Sequence, residues 1–118
     1  KNSLSIGDLV LEGKKFLRDE LSLTGCEISF NHVPVGKGSL FLHKHKLNEE
    51  VYFFLTGEGE FYIDSTILKI KPGTVIKVNP NGVRSYKNTG QEPLVYLCIQ
   101  AESNSLTQCN AQDGEIVE

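Results

Sequence analysis

Apolar and polar positions alternate along this chain in short runs, and the prevailing period is two. In "GCEISFNHVPVG" the side chains of Cys26, Ile28, Phe30 and His32 fall on one side and those of Glu27, Ser29 and Asn31 on the other, as in a half-buried strand. "SLFLHKH" is a second candidate strand. "EVYFFLTG" is rich in aromatic and β-branched residues, and the Gly-rich "TGEGE" predicts a hairpin into "EFYID". "DSTILKIKPG" alternates Leu68 and Ile70 with Lys69 and Lys71, and "TVIKVNPNG", "VRSYKNTG" and "LVYLCIQA" complete the series. Only "KKFLRDEL" has a helical pattern, too short to carry a domain. Many short strands separated by Gly, Pro and Asn turns predict an all-β sandwich or barrel, in which closure removes exposed edges.

With 118 residues the chain is the size of one domain, 1–118, with its core at about 24–101. Residues 1–23 read as an N-terminal arm and 102–118 as a C-terminal tail, and the structureless ends "KNSLS" and "SNSLTQCNAQDGEIVE" are expected to pack on a partner or to fray. Apolar residues at 39% and charged residues at 23% indicate a globular protein, and no apolar run is long enough to cross a bilayer. A formal charge of -3 provides no broad basic field for phosphate backbones, so neither nucleic acid nor membrane is expected as a partner. The three cysteines, Cys26, Cys98 and Cys109, are widely spaced and read as reduced thiols. Together with the lack of a signal-peptide pattern in "KNSLSIGDLVLEGKK" and of an N-glycosylation sequon, they favour a cytoplasmic protein.

The candidate chemistry lies in "HKHKLNEE". On a strand, His43 and His45 point to one face and Lys44 to the other. Neutral imidazoles bind divalent Fe, Mn, Ni, Zn or Cu, and a carboxylate a few residues on, Glu49 or Glu50, can complete a facial set. The competing reading is a solvated strand end. "GEGEFY" lacks the third glycine and the following helix of a nucleotide loop, so it reads as a turn.

The stretch "GSLFLHKHKLNEEVYFFLTG", Gly38 to Gly57, resembles the first motif of the cupin superfamily: a glycine, two histidines flanking one residue, a glutamate, and a glycine after the next strand. By that motif Glu50, rather than Glu49, is the ligand-like position, and Gly38 sits one residue closer to His43 than usual. "GTVIKVNPNGVRSYKNTG", Gly73 to Gly90, resembles the second motif, with a Pro-x-Gly turn at Pro80 and Gly82 and an asparagine at Asn88. The resemblance implies a cupin jelly-roll β-barrel, a divalent metal on His43, His45 and Glu50, and commonly a homodimer.

The second motif of the family also supplies a third histidine, and here Arg84 or Ser85 takes that slot. Arginine keeps its proton and offers no lone pair, so it cannot replace a histidine ligand. Three readings follow. In one, His43, His45 and Glu50 hold a metal and Arg84 grips an anionic substrate, as in an oxygenase or sugar isomerase. In another, no metal binds, Arg84 neutralises Glu50, and the barrel is a binding module for a small anionic or hydroxylated ligand. In the third, the polar set is a structural relic. Tyr52 and Tyr96 have the parity to line the pocket or to fill the barrel. Cys98 reads as a buried inert thiol, and His32 as a satisfied core histidine.

Overall fold

A computed structural model describes residues 3–4, 13–39 and 42–118. Among these the strands are β1 (Gly13–Phe16), β2 (Glu27–Val33), β3 (Asn48–Thr56), β4 (Gly59–Ile63), β5 (Thr66–Ile70), β6 (Val75–Val78), β7 (Arg84–Asn88) and β8 (Leu94–Glu102). They form two antiparallel sheets, one ordered β1-β2-β8-β3-β6 and the other β5-β4-β7. The fold is the all-β jelly roll.

The core lies between the sheets. Tyr52, Phe54, Ile76, Val78, Leu94, Tyr96 and Cys98 of the larger sheet meet Phe61 and Ile70 of the smaller. The aromatic members pack edge to face, Tyr52 on Phe61 with ring centroids 4.8 Å apart and Phe54 on Phe61 at 6.3 Å, the geometry that ring quadrupoles favour.

Several expectations are corrected. The strand ending at Thr56 does not form a hairpin with the next one: β3 and β4 belong to different sheets. Gly57, at φ +88°, turns the chain across the barrel, and a Cβ there would lie 2.5 Å from the Pro93 carbonyl oxygen. The real hairpin joins β4 to β5 through Asp64, itself at φ 52°. In β2 the apolar side faces outward. Register pairs Ser29 with Cys98, Asn31 with Tyr96 and Val33 with Leu94, so Ser29 and Asn31 take the cavity side while Ile28, Phe30 and His32 lie on the convex face.

The helical pattern in "KKFLRDEL" yields only α1 (Arg18–Leu21), because Lys15 and Phe16 belong to β1, which pairs with β2 at the sheet edge. Within "SLFLHKH", residues Leu40 and Phe41 lie outside the described residues, and Gly38 and His43 form isolated bridges to Lys87 and Arg84. After β8 the tail is exposed, its only regular element among the described residues being a 3-10 turn at Ala111–Asp113.

Candidate metal centre

Backbone contacts with the second motif position the two histidines. His43 exchanges both main-chain hydrogen bonds with Arg84, at 3.1 and 3.0 Å, and the Asn81 N–H donates to the His45 carbonyl at 2.7 Å. The "PNG" turn therefore holds one histidine and the start of β7 holds the other. Asn88, at the far end of β7, donates to the Val33 and Glu92 carbonyls and accepts from the Gly90 N–H, a structural tie between strands. Glu50 reaches the same point from β3, where it pairs in register with Val78 and Gln100.

One donor atom each from His43, His45 and Glu50 lie within 4.8 Å of one another. The imidazoles meet edge to face with centroids 5.7 Å apart, and His45 Nε2 is 3.3 Å from Glu50 Oε2. Burial, reinforced by the Arg84 charge, lowers the pKa of His43 below its ordinary value, which keeps its ring neutral and able to coordinate. His32 is not part of this group; its Nδ1 is buried with no hydrogen-bond partner among the described residues, so it is not the satisfied histidine expected.

Arg84, not Ser85, turns inward: its register partner is Ile63, whereas Ser85 pairs with the outward Tyr62. The Arg84 side chain is wholly buried. Its Nε and Nη2 donate to Glu50 Oε1 at 3.2 and 2.5 Å, and its Nη1 donates to the Gly82 carbonyl at 2.6 Å. The guanidinium is thus occupied with Glu50 and the turn and does not line the cavity. The Tyr52 hydroxyl donates to the same Oε1 at 2.9 Å, leaving Oε2 toward His45. Burial opposes the Glu50 charge, but the hydrogen bonds from Arg84 and Tyr52 and the guanidinium charge outweigh it, so Glu50 titrates below the usual carboxylate range.

The donor set fits a divalent transition metal: two imidazoles and a carboxylate whose second oxygen is unclaimed by the arginine. Arg84 opposes that fit in one respect, since its charge already neutralises Glu50 and no third histidine stands in its place.

The site opens into a cavity of about 540 Å³. Tyr96 donates its hydroxyl to that of Tyr86 at 2.7 Å, and both tyrosines line the cavity with Tyr52 and Cys98. Burial together with the Glu50 charge pushes the Cys98 thiol up to about 12, so it stays protonated and is no nucleophile. Gln100, Tyr86 and, from β1, Lys14 and Phe16 also line the space and were not singled out from sequence. Strand parity of Gln100 with Cys98 is the available signal for the first; "GKKFL" does not alternate and carries no such signal for Lys14.

The cupin domain model matches residues 30–100. The chain belongs to the cupin domain family. A crystal structure of a cupin protein from Bacteroides fragilis is 35% identical and superposes with a TM-score of 0.88 over 100% of this chain and 96% of that one. An uncharacterized protein of Methanocaldococcus jannaschii is 36% identical over 86 residues, 73% of this chain and 64% of that protein. An oxalate-binding protein of Thermotoga maritima is 36% identical over 67 residues, 57% of this chain and 54% of that protein. The chain thus spans less than two thirds of either curated relative. Among the described residues no helix of this cupin is long and apolar enough to cross a membrane.

Proposed function

We propose that this cupin holds a divalent transition metal, one of Fe, Mn, Ni, Zn or Cu, on His43, His45 and Glu50, and binds a small polar molecule beside it in the barrel. The observation that carries this reading is the convergence of the three donors within 4.8 Å at the wall of a 540 Å³ cavity. A two-histidine, one-carboxylate set leaves coordination positions open, and a metal there supplies Lewis-acid or oxygen chemistry of the oxygenase and isomerase classes. The protein's own contribution is to hold Glu50 ionised and aimed through Arg84 and Tyr52, and to surround the ligand with tyrosine, serine and glutamine groups. Small carboxylates are the first ligands to test, because the Thermotoga relative is described as oxalate-binding.

The test is elemental analysis of untagged protein after incubation with each of the five metals and desalting. Near-stoichiometric metal in the wild type, lost in His43→Ala and His45→Ala, is expected. A wild type that retains none supports the second reading, a metal-free binding module, which the Arg84–Glu50 pair favours because Glu50 already has its cation.

A homodimer through the convex face of the five-stranded sheet belongs to the same proposal. Phe53 and Val75 are register partners there and remain 40% and 53% exposed. A cytoplasmic location is supported by the three free cysteines, Cys26, Cys98 and Cys109.

A further inference from the structure

β1 changes what the cavity can recognise. Its register sets Lys14 opposite Asn31 and Phe16 opposite Ser29, on the concave side of the sheet, and both β1 side chains line the cavity that holds His43 and Glu50. The Lys14 ammonium lies 5.2 Å from the centroid of the Phe16 ring, a cation–π contact that holds it at the rim. Its neighbour Lys15 points to the opposite face and pairs with Glu20 at 2.8 Å, whereas no carboxylate among the described residues pairs with Lys14.

The charge balance of the cavity makes this unpaired cation significant. Glu50 is the acidic residue of the lining, and the wholly buried Arg84 neutralises it. Arg84 donates to Glu50 and Gly82 and does not line the cavity, so it is not the group that meets an anion. The lining cations are Lys14 and Lys44, both at exposed positions of the rim.

We infer that Lys14 is the anion-binding residue of the cavity and that the ligand is a small carboxylate, its charged end at the Lys14 ammonium and its remaining polar groups among Ser29, Tyr86 and Gln100. The inference rests on the reading of the barrel as a small-molecule site, and it replaces Arg84 with Lys14 as the charge that selects the ligand. It holds with or without metal, because the ammonium acts on the ligand's charge and not through the donor group.

The experiment is isothermal titration of oxalate and malate into wild type, Lys14→Gln, Lys14→Arg and Lys15→Gln, with uncharged oxamide and inorganic phosphate as comparison ligands and circular dichroism to verify folding. Expected are a tenfold or greater loss of carboxylate affinity in Lys14→Gln, retention in Lys14→Arg and Lys15→Gln, and a weaker dependence on salt in Lys14→Gln. Equal carboxylate affinity in Lys14→Gln and wild type overturns the inference and leaves the metal reading intact. Failure of wild type to bind any carboxylate, or tighter binding of phosphate or oxamide than of carboxylate, also overturns it. Metal uptake is measured separately by elemental analysis, so failure of the metal reading is recognised independently.

Discussion

Arg84 and Glu50 form a buried ion pair in which two guanidinium nitrogens, Nε at 3.2 Å and Nη2 at 2.5 Å, converge on a single carboxylate oxygen. The other oxygen faces His45. The pair therefore divides Glu50 into a structural half and a half available for coordination.

Removing the arginine leaves a carboxylate buried without its counter-charge. Arg84→Met is expected to cost about 3–5 kcal/mol in urea denaturation. Arg84→His retains less of the pair but removes a fixed positive charge and adds an imidazole, so metal affinity measured by chelator competition should rise. An unchanged affinity would show that Arg84 does not oppose a cation at this site.

Tyr52 supplies the remaining hydrogen bond to the structural half of Glu50 while its ring packs on Phe61 and Tyr96. Tyr52→Phe keeps those ring contacts and loses one hydrogen bond to a charged acceptor. The expected cost is about 1.5–3 kcal/mol, again from urea denaturation. A cost near zero would mean that Arg84 alone suffices to hold the carboxylate.

Stability of the metal-free protein should fall in acid. The folded pKa of Glu50 is depressed, so its contribution is complete above the ordinary carboxylate value of 4.5 and is lost as pH falls through the lower folded value. Thermal melts from neutral pH into acid should show this loss in wild type and a smaller one in Glu50→Gln. Identical pH profiles for the two would assign the acid sensitivity to other carboxylates.

Gly57 combines a positive φ of 88° with backbone atoms of Pro93 and Leu94 closer than a Cβ tolerates. Gly57→Ala must accept both the strained conformation and the clash, so a loss of at least about 1 kcal/mol is expected in denaturant unfolding. Gly25→Ala, with open space and ordinary φ, is the matched control and should be nearly neutral.

If the convex face joins two copies, a charge at its centre should separate them. Phe53→Lys is expected to shift the wild-type dimer to a monomer in sedimentation experiments, with the barrel still folded. A wild type already monomeric at working concentrations removes the dimer from consideration.

Part of the site was legible because parity sets His43 and His45 on one face and the family motif singles out Glu50 over Glu49, while the contacts that hold the two histidines come from the second motif. Tyr52 and Tyr96, which parity left open between pocket lining and barrel filling, belong to the buried core and border the cavity. The facing of β2 was not legible. Alternation separates two faces without naming the inner one, and here the polar face lines a cavity while Phe30 on the other face is also buried. The choice between Arg84 and Ser85 depended on a register with β4 that spacing alone leaves open. The β3–β4 turn misled because a Gly-rich link serves a sheet crossing as well as a hairpin.

Among the described residues β1 has a ladder on one side only, with β2, while His43, His45 and Glu50 sit where β3 and the start of β7 are each held by neighbours. Edge strands with a single ladder open at lower free-energy cost than interior ones. On the proposed reading the rim of the cavity is therefore separable from the donors: exchanging the four residues of β1 would alter which molecules enter while leaving His43, His45 and Glu50 in place.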